Sequence, residues 1–274
     1  MNPLSGDVRL ETASVSRVIQ LSDTHLMRER GGSLVGIDTD RSLAAVCRLI
    51  KQVLPVDALL VTGDLAGDEA DQAYYRLSAM LTPLEAPSFW LPGNHDATWS
   101  SEHPLNTHFR RRIQLSGWDI LMLNTQQPGE VAGLLPDTEL TALAEAVASA
   151  RETGRHLLVA THHPLRGVGC DWLDEQSVQN GATALSLLAS LGARAVVISG
   201  HVHQDSDQTH SGVKCLTVPS TCEQFAPQSV QFRADEEAPG CRLLELYEDG
   251  KWHTQVLRVS DEVFAADLTS RGYA

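Results

Sequence analysis

Short apolar runs recur along this chain of 274 residues, and five of them stop at polar residues of the kinds that bind metal ions. Short apolar runs bounded in this way are typical of buried strands. The runs and the residues that follow them are RVIQLS with Asp23 and His25, DALLVTG with Asp64, SFWLPG with Asn94 and His95, HLLVAT with His162 and His163, and RAVVISG with His201 and His203. In open α/β sheets, ligands bind beyond the carboxyl ends of the strands. We therefore expect the five endings to converge on one site.

Helical periodicity fills much of the sequence between these runs. The predicted helices lie at 38–53, 68–81, 136–152 and 180–192. In the first of them, Leu43, Val46 and Ile50 recur at helical spacing. The last ends at Gly192, a natural C-cap. Strands and helices thus alternate, interrupted by one long loop after the third strand.

The pattern changes past His203. Residues 206–220 and 242–259 each predict a hairpin, with turns at SG and EDG. An α/β core completed by antiparallel strands predicts two packed mixed β-sheets flanked by helices, an αββα sandwich. We expect a flexible N-terminal tail at 1–16, a single domain at 17–260 and a C-terminal extension at 261–274.

Charge and composition exclude several classes of protein. The formal net charge of −14, from 21 basic and 35 acidic residues, disfavours a nucleic-acid partner. Lysine occurs only at Lys51, Lys214 and Lys251, so there is no Walker-type lysine loop. We expect no membrane partner and a cytoplasmic location, since no apolar run is long enough to span a bilayer and residues 1–16 lack the features of a signal peptide. The five cysteines form no CxxC pair, which argues against a disulfide framework.

The candidate ligands offer carboxylate, amide and imidazole donors without a thiolate, a set that suits Mn, Fe, Co or Zn. They are too many for one ion with an open position, and they suit two ions that share a carboxylate. Two divalent ions would leave the site positively charged despite the acidic chain, and so attractive to a phosphate ester.

The ordered motifs DxH, GD, GNHD, HH and GHVH resemble those of the calcineurin-like metallophosphoesterases, over about residues 18–203. The resemblance implies the fold of that family and two metal ions. Metal one would be held by Asp23, His25, Asp64 and His203, and metal two by Asp64 as the bridge with Asn94, His162 and His201. Asn94 and His95 would contact the substrate phosphate, and His95 would protonate the leaving oxygen or stabilise its charge. His163 receives no role.

Within this family, segments 169–181 and 219–228 resemble those of the bacterial class III cyclic-AMP phosphodiesterases. This implies a small-molecule substrate, 3′,5′-cyclic AMP, hydrolysed to 5′-AMP, with cyclic GMP as an alternative. A metal-bridging hydroxide would attack phosphorus in line while the 3′ oxygen leaves. Fe and Mn are the favoured metals, with Zn and Co as alternatives, and an oligomeric state stays open.

Three questions stay open at the level of sequence. Many relatives carry an aspartate where this chain has Gly67, so either Asp68 or Asp96 would support His95. Trp99, Trp172 and Phe225 are candidates for stacking on a purine and equally for packing. The function could also be that of a broader phosphodiesterase or phosphatase, which GNHD in place of GNHE disfavours, or that of a non-catalytic nucleotide sensor.

Overall fold

All five apolar runs that end at candidate ligands form β-strands in the computed structural model, which describes residues 2–99 and 103–272. In chain order the strands are β1 (Ser5–Arg9), β2 (Val15–Leu21), β3 (Ser33–Leu34), β4 (Ile37–Asp38), β5 (Ala58–Thr62), β6 (Ser88–Leu91), β7 (Arg110–Gln114), β8 (Trp118–Met122), β9 (His156–Thr161), β10 (Ala195–Ser199), β11 (Asp207–His210), β12 (Val213–Thr217), β13 (Gln224–Phe225), β14 (Ala234–Asp235), β15 (Gly240–Tyr247) and β16 (Trp252–Arg258). The five runs are β2, β5, β6, β9 and β10.

The four predicted helices are also present. The α-helices are α1 (Thr39–Lys51), α2 (Asp71–Leu81), α3 (Asp137–Thr153), the short α4 (Asp171–Asp174) and α5 (Gly181–Ala189), with 3-10 helices at Thr82–Leu84, Pro104–His108 and Gly192–Arg194. Helix α5 ends before the predicted C-cap Gly192, because Leu191 N–H bonds to Leu188 O at 2.9 Å and tightens the chain into a 3-10 turn. Gly192 opens the next 3-10 helix instead.

The strands form two large mixed sheets. One has five strands in the order β16–β15–β2–β5–β6, and the other has seven in the order β1–β7–β8–β9–β10–β12–β11. Parallel pairing joins β2, β5 and β6 in the first sheet, and β8, β9, β10 and β12 in the second. The antiparallel pairs β11–β12 and β15–β16 are the two predicted hairpins.

Alternate residues of the seven-stranded sheet face opposite layers. Ile120, Leu158 and Ile198 lie in one core with residues of the five-stranded sheet and of α1 and α2. Their neighbours Leu121, Val159 and Val197 lie in a second core with residues of α3 and α5. The two sheets are also tied directly, since Gln20 Nε2 in β2 donates to Ser199 O in β10 at 3.2 Å. The order of layers is helices, sheet, sheet, helices, so the predicted αββα sandwich is confirmed.

The prediction of a flexible N-terminal tail is wrong for the residues of β1. Ser5–Arg9 pairs in parallel with β7, with Ser5 opposite Arg110 and Asp7 opposite Arg112. The sequence did not reveal this strand because it lies at the sheet edge with nearly every side chain exposed, so that no apolar alternation marks it. The preceding Leu4 is buried, and Met1 lies outside the described residues.

Residues 261–272, within the predicted C-terminal extension, pack along α1. The Glu262 carboxylate pairs with Arg41 and, at 2.6 Å, with Arg48. Asp267 N–H donates to Val35 O at 2.8 Å, and Phe264 is buried. Residues 273–274 of the extension lie outside the described residues.

Candidate metal centre

The candidate ligands follow the carboxyl ends of strands from both sheets. Asp23, Asp64 and Asn94 follow β2, β5 and β6, whereas His162 and His201 follow β9 and β10. Five of the seven have left-handed backbone, with φ of +57° at Asp23, +42° at His25, +49° at Asp64, +68° at His201 and +48° at His203. Such conformations cost about 1–3 kcal/mol each and cluster at functional sites. The chain is strained where the candidate ligands lie.

One cluster combines Asp23, His25 and His203, all fully buried. His203 Nε2 lies 3.4 Å from an Asp23 carboxylate oxygen and 3.3 Å from His25 Nε2. Strand alternation would place the side chains at positions i and i+2 on the same side of the chain. Asp23 and His25 do reach one cluster, whereas His201 and His203 fall in different clusters. All four residues follow the ends of their strands and have left-handed backbone.

A second cluster combines Asn94, His162 and His201. His162 Nε2 lies 3.2 Å from Asn94 Oδ1, and the rings of His162 and His201 are 5.1 Å apart. Nε2 of His201 is buried and has no hydrogen-bond partner among residues 2–99 and 103–272. A bound cation would supply the missing partner.

Asp64 lies between the two clusters. Its Oδ2 is 3.7 Å from His25 Nε2, and its Oδ1 is 3.4 Å from His162 Nε2. One oxygen therefore faces each cluster, which is the arrangement that a carboxylate shared by two ions requires.

Backbone carbonyls orient two of the imidazoles. His162 Nδ1–H donates to Thr62 O at 2.8 Å, and His203 Nδ1–H donates to Glu223 O at 2.9 Å. In each ring the hydrogen bond turns Nε2 toward the clustered carboxylates, as the outer partners of metal-binding histidines do.

The electrostatics of these rings indicate that the site needs positive charge. Burial opposes the charged form, but the carboxylates of Asp64 and Asp23 raise the pKa of His162 to about 9. Asp23 and Glu223 likewise raise the pKa of His203 to about 10 against the effect of burial. Metal ions supply such charge and displace these protons when they bind. The residues present therefore fit a pair of metal ions.

Glycine is required where the loops meet. A Cβ at Gly93 would lie 2.1 Å from Asp64 Oδ1 and 2.7 Å from His162 Nε2, so no side chain fits between these two candidate ligands. The absence of a side chain at Gly93 therefore lets the chain pass close to the site.

His95 lies at the rim of the clusters and is partly exposed. Its backbone N–H donates to Asp64 Oδ1 at 2.9 Å, and its ring meets the His25 ring edge to face at 5.0 Å. The side chain lines a cavity of about 290 Å³ together with Asp64, Asn94 and His201. A molecule in that cavity would touch His95, the shared Asp64, and Asn94 and His201 of the second cluster.

The two aspartates considered as supports of His95 have different surroundings. The Asp96 carboxylate accepts hydrogen bonds from the backbone N–H groups of Leu65, Ala66 and Gly93 at 2.8–3.1 Å. Burial and the nearby Asp64 raise the pKa of Asp96 to about 7. Asp68, in contrast, accepts from Arg28 N–H at 3.1 Å. Asp96 thus joins the GD loop to the GNHD loop, and positions His95 through the main chain.

His163 has a structural explanation. Its Nε2–H donates to Val131 O at 2.9 Å, and its Nδ1 accepts from Thr125 Oγ1 at 2.7 Å. Burial and the neighbouring His162 lower the pKa of His163 to about 3, so the ring is neutral. Although it lies beside His162 and His201, both its ring nitrogens already have protein partners. His163 holds the loop at Val131, which lines the cavity.

Glu223 is a residue that the sequence did not single out. Its carboxylate is fully buried, with one oxygen 3.3 Å from His203 Nδ1. His203 and His25 lower the pKa of Glu223 despite its burial. The only signal was its position within segment 219–228, because burial of a carboxylate behind a histidine depends on the fold.

The candidate stacking residues separate into two groups. Trp99 is buried against Tyr74 and Phe109, with ring centroids 4.5 and 4.7 Å apart, and therefore packs in the core. Trp172 and Phe225 both line the cavity beside the candidate ligands.

Comparison with known proteins gives the class of this chain. Residues 16–205 match the family model described as calcineurin-like phosphoesterase. The chain belongs to that family, as the ordered motifs implied. Membership also implies an enzyme that uses divalent metal ions, which agrees with the clustered histidines and aspartates.

Among similar proteins are two named 3′,5′-cyclic adenosine monophosphate phosphodiesterase CpdA. The one from Pseudomonas aeruginosa is 37% identical over 259 residues, covering 93% of this chain and 94% of the relative. The one from Escherichia coli K12 is 36% identical over 276 residues, covering 99% and 98%. The similarity extends beyond the metal motifs to almost the whole chain.

Solved structures share the fold at low identity. A dimetal phosphatase from Danio rerio superposes with a TM-score of 0.60 at 14% identity, covering 89% of this chain and 99% of that one. A purple acid phosphatase from yellow lupin gives 0.63 at 14% identity, covering 93% and 53%. Within residues 2–99 and 103–272, no helix has the length and apolarity needed to cross a membrane.

Proposed function

We propose that this protein hydrolyses 3′,5′-cyclic AMP to 5′-AMP at a pair of metal ions. The observation that carries the proposal is Asp64, whose two carboxylate oxygens face separate clusters of donor atoms at one cavity. Relatives named cyclic-AMP phosphodiesterases, similar over 93–99% of this chain, support cyclic AMP as the substrate.

Each ion would have its own ligands and share Asp64. The first would be held by Asp23, His25 and His203, and the second by Asn94, His162 and His201. When bound, such ions make a hydroxide nucleophile available near neutral pH and stabilise charge on phosphoryl oxygens. The mixture of oxygen and nitrogen donors without thiolate favours Fe or Mn, with Zn and Co as alternatives.

The residues of the chain orient the phosphate and assist the leaving group. Asn94 and His95 line the cavity beside Asp64 and His201, where a bound phosphate would lie. We assign to His95 the role of assisting the leaving group. As the bond between phosphorus and the 3′ oxygen breaks, His95 would donate either a proton or a hydrogen bond to that oxygen. The backbone hydrogen bond of His95 to Asp64 couples its position to the metal centre.

We propose the cytoplasm as the compartment. All five cysteines are free, and four of them are buried, namely Cys47, Cys170, Cys222 and Cys241. Burial raises the pKa of Cys47, Cys222 and Cys241. Free thiols are the state that a reducing compartment maintains.

A comparison of substrates tests the reaction. We expect kcat/KM for cyclic AMP to exceed that for 4-nitrophenyl phosphate by at least about tenfold in the Mn-loaded enzyme, since the cavity adjoins the clusters and extends past them. His95→Ala should lower turnover of cyclic AMP by about 10²–10⁴-fold, the usual contribution of an acid group. His253→Ala, on the hairpin strand β16, serves as the matched control. Faster cleavage of the monoester would instead assign a phosphatase.

A further inference from the structure

The cavity continues from the candidate metal ligands into an aromatic recess formed by Trp172, Phe225 and Phe232, with Gln176 beside them. We propose that this recess binds the adenine base of the substrate and that the Gln176 amide recognises its edge. The proposal rests on the function proposed above, and it adds the residues that select the base.

The three rings form a fixed wall. The ring centroid of Trp172 lies 5.1 Å from that of Phe225 and 5.4 Å from that of Phe232, and the centroids of the two phenylalanine rings are 5.4 Å apart. Trp172 is held by its Nε1–H, which donates to Ser229 Oγ at 3.1 Å. An aromatic wall whose geometry is already fixed loses little conformational entropy when it binds a flat base.

One ring of this wall, that of Phe225, also contacts a candidate metal ligand. Phe225 is buried and stacks on the His203 imidazole, with centroids 4.2 Å apart and planes 7° from parallel. The recess therefore begins next to a candidate ligand, as a base attached to a metal-bound cyclic phosphate requires. Trp172 and Phe232 are only partly buried, and they offer ring surface to a ligand.

Gln176 supplies a polar group in this apolar surface. Its backbone is fixed, because its N–H donates to Leu173 O at 2.9 Å and its carbonyl accepts from Gly133 N–H at 3.3 Å. In the part of the chain that the structure describes, its side-chain amide has no hydrogen-bond partner, although it lines the cavity. A half-buried amide without a partner is suited to a polar ligand.

The chemistry of an amide favours adenine on the edge that carries N7. There adenine presents a donor at N6 and an acceptor at N7, which match the oxygen and the nitrogen of a glutamine side chain. Guanine presents two acceptors on the same edge, so one of the two hydrogen bonds is lost. Gln176 thus selects cyclic AMP over cyclic GMP.

The first experiment replaces the amide. Gln176→Met has similar length but no matching hydrogen bonds, and should lower kcat/KM for cyclic AMP about tenfold, the discrimination of one two-bond contact. The kcat/KM for cyclic GMP should fall less than that for cyclic AMP. The ratio of kcat/KM for cyclic AMP to that for cyclic GMP should therefore fall toward one. Gln179→Met is the matched control, since this exposed glutamine lies three positions along and outside the cavity.

A second experiment isolates the base from the reaction. Phe232→Ala should raise KM for both cyclic nucleotides about tenfold, whereas hydrolysis of 1-deoxyribose 3′,5′-cyclic phosphate, which lacks a base, should be unchanged. Calorimetry of 5′-AMP binding should show the same loss of affinity in both variants. The abasic substrate therefore separates base recognition from damage to the fold or the metal centre.

The outcomes distinguish this proposal from the function it rests on. If the wild-type enzyme hydrolyses cyclic AMP, but both variants slow the abasic substrate as much as cyclic AMP, the recess is structural and the inference fails. The inference also fails if Gln176→Met leaves the ratio of cyclic AMP to cyclic GMP turnover unchanged. If the wild-type enzyme does not hydrolyse cyclic AMP at all, the proposed function itself is wrong.

Discussion

At the scale of single residues, the identities of the candidate ligands were predictable but their conformations were not. The motifs alone indicated Asp23, His25 and Asp64. Their left-handed backbone angles are set by contacts between loops, such as the hydrogen bonds at 3.1 Å from His201 N–H to both carboxylate oxygens of Asp23. Contacts between residues 178 positions apart are not readable from local pattern.

Glu223 provides a prediction at this scale. The buried carboxylate of Glu223 lies 3.3 Å from His203 Nδ1. Glu223→Gln should therefore weaken the interaction that orients the His203 ring. Mutation of such outer partners typically costs about 10–100-fold in metal affinity or activity. We expect Mn affinity, measured by calorimetry on the chelated protein, to fall within this range.

Added Mn should restore most of the turnover of Glu223→Gln, because the ligands themselves are intact. Glu245→Gln, in the middle of β15 and partly exposed, is the control. If Glu223→Gln bound Mn with unchanged affinity, the Glu223 carboxylate would not contribute to the metal centre.

At the scale of elements, periodicity found most of the strands and helices that have an apolar face. The five buried strands and the amphipathic helix α1 were correctly assigned, since most of their side chains face a core. The prediction of one long loop after the third strand is wrong, since that stretch contains β7 and β8, and β8 was missed although its side chains are buried. Strands β1 and β7 were missed because they have no apolar face. They pair through their backbones at the edge region of the seven-stranded sheet and bury few side chains, so their sequences carry no signal.

The strand β1 makes a prediction about stability. Removing residues 2–10 eliminates the pairing with β7 and the burial of Leu4. We expect the free energy of unfolding in urea to fall by at least about 2 kcal/mol, the typical contribution of one buried leucine. Turnover per folded molecule should not change, because no candidate ligand lies in this segment. Unaltered stability would instead support a loosely attached tail.

At the scale of the whole molecule, the metal centre exists only because the two sheets are packed together. The five-stranded sheet contributes Asp23, Asp64 and Asn94, and the seven-stranded sheet contributes His162 and His201. Neither sheet alone holds both clusters. Bound ions should therefore stabilise the packed sheets, and would place positive charge in the cavity of a chain whose formal net charge is −14.

The sequence predicted this convergence from the rule that ligands bind at the carboxyl ends of strands. It could not predict which side chains complete the surroundings of the site. Glu223, the His163–Val131 contact and the Gln176 amide all depend on how loops of different sheets meet.

The most direct test of the paired-metal centre is a titration of Mn into chelated protein, with bound metal and hydrolysis of cyclic AMP measured on the same samples. We expect no turnover without metal, and activity that rises as occupancy approaches two ions per chain. Asp64→Asn should bind less metal and remain inactive, whereas Asp249→Asn, on an exposed turn, should match the wild type. Full activity in the metal-free protein, or at one ion per chain, would contradict a centre built around Asp64.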